Sequence, residues 1–261
     1  MFENFIIVGT QRTGSTALYQ ALNCHPDIAC GGEWTQNIPW YKKIRVARQA
    51  LRGNFTGLTA RNQNLIRKVF HEQTRWLGFK MLFRSSDKWL LHPRFAPALQ
   101  LDQLEPCLKW IGEQPNMHVI HVVRRDAVEW LKSKYLASAT GHFTIQQYPD
   151  DLKVNIPVRG AVKRLQAKNW IDNRLASLAR NHPYYRVDYE EFLVSNESRL
   201  MSITEFLQCD AALVKPIDDG VQKKQSTGEA ADYIKNYDEL VTALQRLDLL
   251  HSPLCPSSHI K

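Results

Sequence analysis

Fourteen residues near the start of the chain restrict the fold more than any other stretch: Phe5-Ile6-Ile7-Val8-Gly9-Thr10-Gln11-Arg12-Thr13-Gly14-Ser15-Thr16-Ala17-Leu18. They open with a short continuous apolar run, the pattern of a parallel strand covered on both faces. The run breaks into a loop with glycines at 9 and 14, and helix-compatible residues follow from Ala17 to Leu22. A strand, a tight loop and a helix in that order turn successive backbone N–H groups toward one point, where the helix dipole also favours negative charge. Such a point seats a phosphate or a sulfate. A turn that needs glycine only to bend is the plainer alternative.

The stretch is close to Gly-x-x-x-x-Gly-Lys-Ser/Thr, the loop that holds nucleoside triphosphates. It departs at one decisive position, because Ser15 stands where that loop has its lysine. The lysine reaches the β- and γ-phosphates, and without it triphosphate chemistry loses its main electrostatic support. The cation here is Arg12, inside the loop, and its planar fork suits a pair of phosphate or sulfate oxygens. The loop is therefore expected to cradle an oxyanion other than a magnesium–triphosphate.

A chain of 261 residues suits one large α/β domain. Its net charge of +8 favours anionic partners. The basic residues are spread along the sequence rather than gathered in a tail, so a basic cleft is favoured over a nucleic-acid stripe; a surplus of solvated lysine and arginine is the bland alternative. Five cysteines, an odd count without a Cys-x-x-Cys pair, suggest neither a disulfide framework nor a zinc site. No basic leader with a long apolar core is present, and no run reaches membrane-spanning length, so a cytoplasmic protein without a membrane partner is expected.

Further along, Gly31-Gly32 closes a short strand and Glu33 follows directly. That position lies near the carboxyl ends of the strands, where open α/β sheets bind ligands, although most glutamates are only solvated. Residues 35–75 carry apolar positions at helical spacing and read as two helices, an insertion or cap. Trp76 to Leu82 reads as a core strand containing Lys80, which needs an anion to point at unless it faces solvent. Residues 85–114, punctuated by prolines, read as helix and loop. Met117 to Val123 is another strand, running into Arg124-Arg125-Asp126 and a helix, with Ser133 eight residues after Arg125. A guanidinium at a strand end and a hydroxyl two helical turns later meet if the helix packs back on the sheet, and together they suit a second phosphate. Thr140 to Val158 reads as a substrate-side loop, Arg159 to Asn181 as a helix, Tyr184 to Tyr189 as the last strand, and Ala230 to Leu250 as one final helix. Lys223-Lys224-Gln225-Ser226 offers cations and a hydroxyl in what is otherwise an ordinary polar loop. The alternation of strands and helices predicts an α/β fold, a mostly parallel sheet with helices on both faces.

Several of these segments together resemble the sulfotransferase superfamily that uses 3′-phosphoadenosine 5′-phosphosulfate (PAPS) as donor. Gly9 to Thr16 is similar to its 5′-phosphosulfate loop, and Arg125 with Ser133 to its 3′-phosphate motif. His25 to Glu33 is similar to the segment of tyrosylprotein and some bacterial members that carries a catalytic glutamate, and Lys223 to Ser226 to the basic loop that closes on the nucleotide. The resemblance implies a P-loop-like fold over residues 1–261, donor contacts from Gln11, Arg12, Thr13, Gly14, Ser15, Thr16, Arg125, Ser133, Lys223, Lys224, Gln225 and Ser226, and catalytic roles for Glu33, Arg12 and Lys80. Tyr189 is placed at the adenine or in the core. No metal is expected, because fixed cations already match the leaving group. The acceptor is expected to be a small molecule or a saccharide, with 3′,5′-adenosine bisphosphate (PAP) as the second product. A P-loop kinase or NTPase is the competing class and needs an acidic metal ligand at a strand end; a nucleic-acid binder is a third, suggested by charge alone.

Overall fold

A computed structural model describes residues 2–33, 40–83, 96–142, 147–149, 151–214 and 228–251. Five strands form a single sheet: β1 (Glu3–Thr10), β2 (Ile28–Gly31), β3 (Trp76–Phe83), β4 (Met117–Val123) and β5 (Tyr184–Asp188), in the order β2-β3-β1-β4-β5. Every neighbouring pair is parallel. The carboxyl ends of all five therefore emerge along one edge, and the loop after β1 sits at its middle.

The helices are α1 (Ser15–Leu22), α2 (Trp40–Ala50), α3 (Ala60–Val69), α4 (Ala96–Gly112), α5 (Ala127–Thr140), α6 (Val158–Ala176), α7 (Tyr189–Val194), α8 (Asn196–Phe206), α9 (Ala230–Tyr233) and α10 (Tyr237–Arg246). Side chains on a strand alternate between faces, and the apolar run of β1 serves both. Ile6 and Val8 join a core with Val46 and Ala50 of α2, Ile66 of α3, Trp110 of α4 and Ile171 of α6. Phe5 and Ile7 join another with Leu18 and Leu22 of α1, Phe192 of α7, and Leu200 and Ile203 of α8. Burying one such side chain contributes about 1.5–3 kcal/mol, so β1, fully buried from Phe5 to Val8, anchors both layers.

A third core packs Trp130 and Leu131 of α5 against Leu165 of α6, Tyr148, Ile156, Ile234 and Leu240. It draws in Tyr148, Val154 and Ile156 from the stretch expected to be a substrate-side loop between 140 and 158. It also corrects the single helix expected over 230–250. Ile234 forms a parallel bridge with Val154, and Lys235 donates its N–H to the Val154 carbonyl at 2.9 Å. The Asn236 amide then pairs with both backbone groups of Ile156 at 2.9 Å. Those bonds replace helical ones, and the helix splits into α9 and α10. In the proline-punctuated stretch, α4 instead runs through Pro106; its apolar face, with Leu104 and Trp110, packs on the sheet and offsets the lost backbone bond.

A polar group joining α6 to β4 and β5 lies deep in the fold. Lys168 and Asp172 of α6 meet at 2.7 Å, Asp172 lies 3.7 Å from His121 Nε2 on β4, and His121 Nδ1 lies 2.7 Å from the Tyr184 hydroxyl. Burial alone would raise the Asp172 carboxyl, but Lys168 and His121 hold it below its ordinary value.

Candidate active site

The loop between β1 and α1 is held by unusual backbone. Arg12 has φ 69° and Gly14 φ 80°, so two left-handed residues flank Thr13. Turns of this kind gather N–H groups into an anion-binding concavity. A left-handed arginine costs about 1 kcal/mol or more and persists only if its surroundings enforce it. They do. The Gln11 N–H donates to the Phe83 carbonyl at the end of β3, and the Thr13 hydroxyl to the Thr10 carbonyl at 2.8 Å. Position 14 must be glycine on two counts: its φ, and a Cβ there would lie 2.2 Å from the Tyr189 ring.

Two cations flank the loop. Arg12 Nε donates to Ser133 Oγ at 2.9 Å, which ties α5 to the loop. Lys80, on β3, donates to Thr16 Oγ1 at 2.8 Å, lies 4.0 Å from Glu33 Oε1, and sits 5.1 Å above the Tyr19 ring. Burial lowers both the Arg12 and the Lys80 pKa, and Glu33 partly restores the lysine. A buried cation pressed in this way gains most from an incoming anion. Glu33 follows β2, and its carbonyl accepts the Asn62 amide of α3 at 3.1 Å, so α3 fixes the segment that carries the carboxylate.

The residues after β4 divide. Arg125 turns toward acids: Nη2 donates to Glu191 at 3.2 Å and Nε lies 3.8 Å from Asp188. Its N–H and that of Asp126 are taken by the Glu190 carboxylate at 3.0 Å. Arg124, which sequence reasoning passed over, is the buried one, 5% exposed. Its Nη1 donates to the Arg12 carbonyl at 3.3 Å, Nη2 to Glu129 at 3.1 Å, and its guanidinium stacks 4.7 Å from the Tyr189 ring centroid. Tyr189 thus fills the space between Arg124 and Gly14. Asp126 caps α5 by accepting the Glu129 N–H at 2.8 Å. The structure therefore brings Gln11, Arg12, Thr13, Gly14, Ser15, Thr16, Lys80, Ser133, Tyr189 and Glu33 to one edge, and turns the Arg125 side chain to the acids beside it. Lys223, Lys224, Gln225 and Ser226 lie outside the described residues.

At the opposite edge, His25, Asp27 and Cys209 bring possible metal-ligating atoms within 4.8 Å of one another. Both His25 nitrogens are engaged there: Nδ1 accepts the Asp27 N–H at 3.1 Å, and Nε2 lies 3.0 Å from the Asp210 carbonyl. Burial pushes the Cys209 thiol up to about 11. Among the described residues, Cys24, Cys30, Cys107 and Cys209 are not joined in disulfides. Among the described residues, no helix is long and apolar enough to cross a membrane.

An anion-binding turn, two buried cations and a carboxylate thus share the carboxyl edge of a parallel sheet, an arrangement suited to group transfer from an anionic donor. A model of the Sulfotransferase family matches residues 4–212, and the chain belongs to that family. It is a sulfotransferase, as the resemblance implied. Similar solved structures include a sulfotransferase from Alicyclobacillus acidocaldarius, at 13% identity, 95% coverage of each chain and a TM-score of 0.47. The sulfotransferase domain of a Synechococcus olefin synthase shares 15% identity over 94% of this chain and 87% of that one, with a TM-score of 0.44. Retinol dehydratase in complex with androsterone and inactive cofactor PAP shares 9% identity over 94% and 80%, with a TM-score of 0.46. No curated protein matches the chain closely enough to be called a relative.

Proposed function

We propose that this chain moves a sulfuryl group from PAPS to a hydroxyl or amine of a small-molecule or saccharide acceptor, as one catalytic domain working in the cytoplasm. The observation that carries the reading is the place of Lys80, bonded to Thr16 at the end of the loop and 4.0 Å from Glu33. One cation thus stands between the donor cradle and the only carboxylate it meets in the described residues. The loop N–H groups, Arg12 and Lys80 hold the sulfuryl oxygens and the 5′-phosphate. Glu33 takes the acceptor proton as the acceptor oxygen bonds to sulfur. The bond from sulfur to the 5′-phosphate oxygen breaks, and PAP leaves. No metal takes part in this scheme.

Arg125 and Ser133 take the 3′-phosphate, for which Arg125 exchanges the carboxylates of Asp188 and Glu191. Lys223 to Ser226 close over the nucleotide, and the Tyr189 edge borders the adenine. The α2–α3 stretch and residues 140–158 border the acceptor. A thermal-shift comparison tests the donor. Stabilisation by PAP, and none by ATP with magnesium or by an oligonucleotide, is the expected result. The reverse order hands the site to a nucleoside triphosphate. Transfer from labelled PAPS to an acceptor panel then separates sugars, phenols and amines.

A further inference from the structure

We infer that Arg124 and Trp130 are positioning residues that aim the peptide groups of the donor loop at the 5′-phosphate. The inference rests on the donor reading above and adds two side chains to it. A trans peptide is planar, with its C=O and the next N–H pointing in opposite directions. Whatever holds a carbonyl on one side therefore turns the following N–H to the other. In this loop two successive carbonyls are held from the same quarter. Trp130 Nε1 donates to the Gln11 carbonyl at 2.8 Å, and Arg124 Nη1 to the Arg12 carbonyl at 3.3 Å. Both donors come from the end of β4 and the first turns of α5. The N–H groups of Arg12 and Thr13 are thereby turned away from α5.

The clamp is built rather than incidental. Trp130 is fully buried and Arg124 is 5% exposed. Arg124 is itself fixed by Glu129 at 3.1 Å and by the Tyr189 ring, whose edge packs on Gly14. Glu129 is in turn held 2.6 Å from Lys132. The left-handed Arg12 sits between the two captured carbonyls, which supplies the enforcement its backbone needs. This role differs from contact with the nucleotide: each side chain acts through a loop carbonyl.

The test uses the full chain and three nucleotides measured by calorimetry: PAP, adenosine 5′-monophosphate and adenosine 3′-monophosphate. Trp130→Phe keeps an aromatic ring, though a smaller one, and removes the donor; Arg124→Ala removes the other. For Trp130→Phe, the Kd for PAP and for the 5′-monophosphate is expected to rise about three- to tenfold, the scale of one neutral hydrogen bond. Arg124→Ala is expected to weaken the same two ligands by about tenfold or more, because its bond is charge-assisted. Neither is expected to change 3′-monophosphate binding. Equal losses for all three ligands would mean general loosening and overturn the inference, as would no loss at all. A loss confined to the 3′-bearing ligands would make Arg124 a direct phosphate contact and overturn it too. Wild-type protein that binds none of the three removes the donor reading itself. Trp130→Phe keeps the measurement decisive should Arg124→Ala fail to fold.

Discussion

The buried group around Asp172 and the rim around the loop both take charge out of water, and they settle it differently. At Asp172 the charge is met inside the fold by Lys168 at 2.7 Å, with His121 3.7 Å away, beyond hydrogen-bond reach, and the Tyr184 hydroxyl behind the imidazole. The result is a carboxylate held below its ordinary pKa despite burial. At the rim the strain falls on the cations. Burial lowers Arg12 and Lys80, and Lys80 has its carboxylate at 4.0 Å rather than in contact. A matched buried pair serves the fold; in the proposed reaction the buried cations of the rim serve the anionic donor.

The contrast breaks or sharpens under three measurements. The largest effect is expected from Asp172→Asn, which leaves Lys168 buried without its counter-charge; the loss is about 3–5 kcal/mol in denaturant unfolding, with donor affinity kept in the protein that remains folded. A loss below 1 kcal/mol would erase the distinction from the structural side. Next comes Glu33→Gln, expected to lower turnover about 10²-fold or more, while unfolding shifts by less than about 0.5 kcal/mol. Unchanged turnover would move the base elsewhere. The smallest effect is a pH dependence. In the proposed reaction Lys80 meets the donor in its charged form, and its pKa lies below 10.5. PAP affinity is thus full below the Lys80 value and declines as pH rises through it, on an alkaline limb that starts short of 10.5. The empty protein shows the opposite sign, gaining stability over the interval between the lowered value and 10.5, where the unfolded chain still binds the proton. Lys80→Met should flatten both limbs, and a persistent limb would assign them to another group.

What the sequence revealed and what it hid follow from the range of the forces involved. The apolar run from Phe5, the glycines at 9 and 14, and the β-prone runs before Phe83 and Val123 are local signals, and each became the element it implied. Arg124 and Arg125 could not be ranked in the same way. Adjacent residues at a strand end point to opposite sides, and only the packing of Tyr189 and Glu190 decides which guanidinium goes inward. The break at Ile234 is likewise set by Val154 and Ile156, far off in sequence. The Asp172 group was illegible because its partners sit on α6, β4 and β5.

Strand order has a kinetic consequence. β1 is the central strand, yet both its neighbours come much later in the chain: Glu3 pairs with Trp76, and Asn4 with Met117. A ribosome adds about 5–20 residues each second, so the apolar run of β1 emerges seconds before the two strands that flank it. With every pairing parallel and long-range, folding is expected to be slow, and Phe5 to Val8 wait for β3 and β4 before the sheet can close around them.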